Sequence, residues 1–149
     1  MTSRRQTPPT PSKRLVVHPD EPDASALEEA ARIVRGGGLV GLPTETFYAL
    51  AADGLSDAAV SRALEVKGRG SSKPAGLLVA DADMAAMVAE DIPAAARTLM
   101  DRFWPAPLSL ILPGKGSLPP GVLGEDNGVS VRVPASAVAL RVVQRVGGP

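Results

Sequence analysis

A chain of 149 residues suffices for one domain with one sizeable core, and its 16 Lys plus Arg balance 16 Asp plus Glu, so no overall field draws it to nucleic acid or an anionic membrane. The absence of cysteine excludes a disulfide framework and a thiolate zinc site, and suits a reducing, cytoplasmic setting. No apolar run approaches the ~20 residues of a bilayer-spanning helix, so no membrane partner is expected and any recognition of anions has to be local.

Residues 1–14, MTSRRQTPPTPSKR, hold no acid and almost no apolar side chain, and are expected to be a disordered tail ahead of a domain over 15–149. The β-branched run RLVVH (14–18) predicts a first strand. Ser25-Ala26-Leu27-Glu28 has the form of a capping box, and Leu27, Ala31 and Val34 recur at helical spacing until Gly36, Gly37 and Gly38 end the segment. GLVGLP then reads as a buried strand closed by Pro43. SDAAVSRALEVKG predicts a second helix, capped by Ser56 or Asp57, with Ala59, Val60, Ala63 and Leu64 on one stripe and Gly68 past its end. A strand at GLLVA follows, then a short helix capped by Asp81 or Asp83, then a longer one opened by Pro93. LSLIL and VSVRV read as strands, the turn-rich PGKGSLPPGVLGEDNG between them as a long surface loop, and residues 135–146 as a last helix. Helices alternating with short apolar strands indicate an α/β or α+β domain with a largely covered sheet.

Two nucleotide motifs fail on inspection. Gly36, Gly38 and Gly41 satisfy G-x-G-x-x-G, but that fingerprint has to follow a strand and open a helix, and here the order is reversed. Leu42 stands where a Walker A loop requires Lys, so these glycines read as a helix-to-strand turn. His18 is the single histidine, which leaves little material for a His-based metal cluster or a Ser-His pair.

Four stretches remain: PTETFYAL (43–50), KGR (67–69), FWPAPLSLIL (103–112) and VSVRVP (129–134). Taken singly, each has an ordinary structural use: threonines closing a turn, cations solvating a loop, a Trp-Pro corner, an arginine on an open strand face. Arg132 stands out because period-2 alternation puts it opposite Val129, Val131 and Val133. In this order and spacing, from about residue 14 to the end, the four stretches together resemble the YrdC-like family of threonylcarbamoyl-AMP synthases.

The resemblance implies a twisted mixed β-sheet with flanking helices around a deep basic cavity, and a nucleotidyltransferase activity. Such an enzyme forms threonylcarbamoyl-AMP and pyrophosphate from L-threonine, bicarbonate and ATP, and hands its product to downstream tRNA-modification enzymes. On that resemblance Lys67 and Arg69 bind ATP phosphates and the forming carbamate, Lys73 and Gly128 face the nucleotide, Thr44 and Thr46 hold the amino acid, and Arg132 pairs with its carboxylate. The residue types suit the chemistry. A carbamate oxygen has to attack the α-phosphate, so anion approaches anion and pre-placed cations have to screen it. Arg grips a carboxylate with two prongs, which Lys cannot do. No protein nucleophile is required, and Mg2+ is expected to come in on the ATP phosphates.

Three positions depart from the family pattern. Ala49 stands where Tyr-Gly-Leu is usual, Gly70 replaces a proline after KGR, and the family's Ser-x-Asn motif would fall beyond Gly147-Gly148-Pro149, so the chain is expected to be incomplete at its C-terminus and little active alone. Two other readings stay open: a double-stranded RNA-binding module, which one Trp, one Tyr and two Phe serve poorly as stacking platforms, and a catalytically inactive relative.

Overall fold

A computed structural model describes residues 12–68 and 73–149. In chain order the elements are α1 (Ala24–Arg35), β1 (Val40–Pro43), β2 (Tyr48–Ala51), α2 (Asp57–Val66), β3 (Leu77–Leu78), α3 (Ala82–Val88), α4 (Ala94–Phe103), β4 (Leu110–Pro113), a 3₁₀ turn (Pro120–Val122), β5 (Gly128–Arg132) and α5 (Ala137–Val146). The expected mixed α/β class holds, with the strands divided between two sheets. One is the antiparallel pair β1–β2, in register from Val40 opposite Ala51 to Pro43 opposite Tyr48. The other runs β3-β5-β4, with β5 parallel to β3 and antiparallel to β4.

Each sheet covers its own core. On α1 the residues one and two turns apart, Leu27, Ala30, Ala31 and Val34, are buried. Leu27 and Ala30 meet Leu42 of β1 and Val138 and Val142 of α5, and Val17, Val40 and Ala51 pack around that cluster. The larger core lies under the three-stranded sheet, where Val79, Val88, Val129 and Val131 are fully enclosed with α2 and α3 against them. Each enclosed aliphatic side chain contributes about 1.5–3 kcal/mol relative to exposure, which is what these short strands rely on in place of length.

The helix caps decide where the segments begin. Ser56 Oγ accepts from Ala59 N, Asp81 Oδ1 from Met84 N, and Ser136 Oγ from Ala139 N. The glycine-rich stretch is a helix-to-strand turn, as its order requires: Gly37 has φ +76°, and a Cβ on Gly38 would lie 2.6 Å from Ile33 Cγ2. The FWPAP stretch is a packed corner, closed by Trp104 Nε1 donating to Leu108 O at 2.8 Å.

Three expectations need correction, and one strand was not anticipated. RLVVH forms no strand: Leu15 and Val16 are exposed, Val17 packs beside α1, and Lys13 pairs with Glu29 at 3.3 Å, so the segment lies along a helix with no strand edge to pair with. Helix α1 starts one residue before Ser25, with Asp23 as N-cap and no side-chain cap bond, so the capping box is not used. The unanticipated strand is YALA, β2, formed because the PTET turn folds it back on β1. The stretch 113–128 is only partly a surface loop. It buries Leu118 and Val122, bridges Leu123 to Val129, and brings Gly121 so close to α2 that a Cβ there would sit 2.6 Å from Val60 Cγ1. The expected tail at 1–14 lies, for residues 1–11, outside the described residues. Among the described residues no helix is long and apolar enough to cross a membrane.

Candidate active site

The PTET turn is built by one hydroxyl. Thr44 Oγ1 donates to Phe47 O and accepts from Thr46 N at 3.3 Å and Phe47 N at 3.2 Å, which closes the link between β1 and β2. Thr44 Oγ1 and Thr46 Oγ1 are 3.0 Å apart. A hydroxyl has one proton, and that of Thr44 goes to Phe47 O, so Thr46 is the donor in this contact. Thr46 is therefore left with acceptor capacity at an exposed position, suited to an N–H or O–H of a ligand. Thr44 is occupied by the turn.

Glu45, between them, turns back towards the other sheet. Its Oε2 accepts from Ala135 N at 3.1 Å and Ser136 N at 3.3 Å, at the start of α5. Its Oε1 lies 3.7 Å from Arg132 Nη2, with both side chains mostly enclosed, 18% and 17% exposed. Ser136 Oγ donates to Pro43 O at 2.9 Å while capping α5. The turn of one sheet is thus fastened to the end of β5 in the other.

Arg132 sits where alternation predicts. Val129 and Val131 point into the core, and Gly128, Ser130 and Arg132 take the opposite, half-buried face. The backbone there is held from the β3 side: Leu78 is the register partner of Arg132, and Arg132 O accepts from Val79 N at 2.9 Å. In front of this face lies a cavity of about 260 Å³. That volume is near the lower end for small-molecule sites, which run from about 300 Å³. Its walls are largely aliphatic, with Leu42, Leu77, Val142 and Val146 among them, and its charged lining side chains among the described residues are Lys67 and Arg132, with Ser109 and Ser130 supplying hydroxyls.

The structure therefore brings Lys67 and Arg132 to one cavity, and Glu45 ties the Thr44–Thr46 turn to Arg132. Lys67 is the C-cap of α2, followed by Gly68 at φ +61°, the left-handed conformation in which a glycine commonly ends a helix. Arg69 lies outside the described residues. Lys73 is exposed and does not line the cavity. Gly128 stands at the opposite end of β5 from Arg132, about 13 Å away at strand rise, and does not line the cavity; a Cβ there would lie 2.8 Å from Ile111 Cγ2, the tip of an exposed side chain. Glu45, Ser109, Ser130 and Ser136 were not singled out by the sequence. Ser130 was within reach of the period-2 rule, since it precedes Arg132 by two on the same face; the partners of Glu45, 90 and 91 residues away, were not.

The family model for Sua5/YciO/YrdC, described as telomere recombination, matches residues 32–149. The chain belongs to the Sua5/YciO/YrdC family. It is similar to the threonylcarbamoyl-AMP synthase of Pyrococcus abyssi, 40% identical over 77% of this chain and 34% of that protein. It is also similar to the threonylcarbamoyl-AMP synthase of Nitrosococcus oceani, 36% identical over 79% of this chain and 64% of that one. Among solved structures it resembles P. abyssi Sua5 complexed with L-threonine, with TM-score 0.83 and 36% identity over 87% of this chain and 38% of that chain. The chain thus spans between about a third and two thirds of the length of these relatives.

Among its described residues this Sua5/YciO/YrdC chain gathers no set of side-chain donors for a magnesium ion. No three metal-ligating side chains come together there, and the carboxylate paired with the cavity's Arg132, Glu45, is held by two amides and that guanidinium. The expected ion would have to be carried by the phosphates of ATP.

Proposed function

We propose that this chain carries the substrate cavity of an L-threonylcarbamoyladenylate synthase, a cytoplasmic nucleotidyltransferase that joins L-threonine, bicarbonate and ATP into threonylcarbamoyl-AMP and releases pyrophosphate for later tRNA modification. The observation that carries the reading is the convergence of Lys67 and Arg132 on one cavity with the Thr44–Thr46 turn fastened beside it. The family membership and the threonine complex of P. abyssi Sua5 lend support.

The residues have separable tasks in this reading. Arg132 offers its fork to the amino acid's carboxylate, in a mostly enclosed setting where a charge-assisted bond is strong. Thr46, with acceptor capacity to spare, takes an N–H or O–H of the same substrate. The amine adds to carbon dioxide with loss of a proton, or to bicarbonate with loss of water, and the resulting carbamate oxygen attacks the α-phosphorus; the bond from that phosphorus to the α,β-bridging oxygen breaks and pyrophosphate leaves. Lys67, and Arg69 by its place in the sequence, neutralise charge where the two anions meet and on the leaving group. Holding three reactants in one orientation supplies much of the remaining acceleration. Aliphatic walls keep water from the carbamate, which hydrolyses readily.

The test is pyrophosphate release from ATP by the natural full-length protein, with L-threonine and bicarbonate omitted in turn. Release that needs all three is the expected result. Release that ignores L-threonine, or none with all three present, overturns the reading.

A further inference from the structure

The pairing of Arg132 with Glu45 raises a difficulty, since an acid beside an arginine that is to bind a carboxylate should weaken it. The geometry resolves this. Glu45 spends one oxygen, Oε2, on Ala135 N and Ser136 N, and presents the other, Oε1, 3.7 Å from Arg132 Nη2, an ion-pair distance beyond hydrogen-bond reach. A guanidinium has five N–H donors, so this contact leaves the rest of the fork for the cavity that Arg132 lines. The carboxylate is itself anchored at both ends of its reach: the PTET turn fixes its backbone, and two amides at the start of the ten-residue helix α5 fix its head group. Ser136 doubles the fastening by donating to Pro43 O.

We infer that Glu45 is a positioning residue, which orients the Arg132 guanidinium towards the cavity and couples the threonine-holding turn of one sheet to the arginine of the other. The inference rests on the reading of Arg132 as the carboxylate's partner. A free arginine side chain samples many rotamers, and fixing it beforehand removes an ordering cost that each bound ligand would otherwise meet. The acid costs some of the field at Arg132 and recovers it in orientation. The opposite role is distinguishable: if Glu45 merely competed for the guanidinium, its neutralisation would tighten ligand binding.

The experiment compares Glu45→Gln, which keeps shape and a carbonyl acceptor for the two amides, with the parent. The first readout needs no ligand: guanidinium nitrogen resonances of Arg132, assigned by their loss in Arg132→Lys, are expected to show hindered rotation in the parent and averaged rotation in Glu45→Gln. The second is calorimetry, where the dissociation constant for L-threonine is expected to rise about tenfold while that for ATP stays within about twofold, a split that general loss of structure would not give. Glu45→Asp, which keeps the charge on a shorter stem, is expected to recover part of the threonine affinity. Unchanged Arg132 resonances in Glu45→Gln overturn the inference even if the parent binds no L-threonine, a result that would instead sink the reading of Arg132. Tighter threonine binding, or equal losses for threonine and ATP, overturns it as well.

Discussion

Replacing Arg132 by Lys keeps the charge and removes the fork, and the structure lets the two be separated. The backbone at this position is held by the Leu78 register and by Val79 N donating to Arg132 O at 2.9 Å, so the strand should not move when the side chain changes. The side chain is 17% exposed, so solvent cannot substitute for a lost prong. One charge-assisted hydrogen bond contributes about 1.5–3 kcal/mol, and 1.4 kcal/mol is a factor of ten, so the dissociation constant for L-threonine should rise on the order of 10- to 100-fold. ATP, whose phosphates are assigned to Lys67 in the same cavity and not to Arg132, should change by less than about threefold on the same footing. The assay is calorimetric titration of parent and Arg132→Lys with L-threonine, L-threonine carboxamide and ATP. A parent that binds acid and amide equally well, or a Lys variant that binds L-threonine as the parent does, refutes the assignment.

Lys67→Ala should weaken ATP or slow turnover by about tenfold or more without lowering the denaturation midpoint, since Lys67 is exposed at a helix end; ATP titration and urea unfolding check both halves. Gly54→Ala should destabilise by about 1–3 kcal/mol, because a Cβ there would lie 2.5 Å from Leu77 Cδ2 and 2.9 Å from the backbone oxygen of Pro149, which accepts from Gly54 N; urea midpoints measure it. Leu27→Ala, at 2% exposure between α1 and α5, should cost about 2–5 kcal/mol by the same measurement. Hydrogen bonds from Arg32 first and Lys13 second lower the Glu29 pKa below its usual value, so the hold of Glu29 on residues 12–18 is present above the ordinary carboxylate range and lost as pH falls through the lowered value; amide shifts of residues 13–17 should titrate with it, and not at all in Glu29→Gln.

What the sequence made legible was whatever depends on near neighbours. The stripes of α1 and α2, the cap positions of α2 and α3 to within a pair of candidates each (Ser56 or Asp57, Asp81 or Asp83), the glycine turn at 36–38 and the outward face of Arg132 all follow from spacing within one element. What escaped depends on distant partners. The run RLVVH has strand propensity and no edge to pair with, while YALA, with its two alanines, becomes β2 because the PTET turn returns it to β1. Leu118, Val122 and Gly121 sit in a stretch with turn composition, and only the approach of α2 shows why those positions are apolar or small. Glu45 is the clearest case in the site: its residue type was visible, and its role is set by amides and a guanidinium on another sheet.

The central claim is that one cavity holds an amino-acid carboxylate on Arg132 and nucleotide phosphates at Lys67. Nitrogen-15 shift mapping of the chain tests it most directly, with L-threonine, ATP, both together, and a short RNA duplex added in separate titrations. L-threonine is expected to move Thr46, Ser130 and Arg132, ATP to move Lys67, and each to tighten the response to the other. Shifts that appear only with the RNA duplex and fade with added salt, or ligand shifts confined to residues away from the cavity, would contradict it.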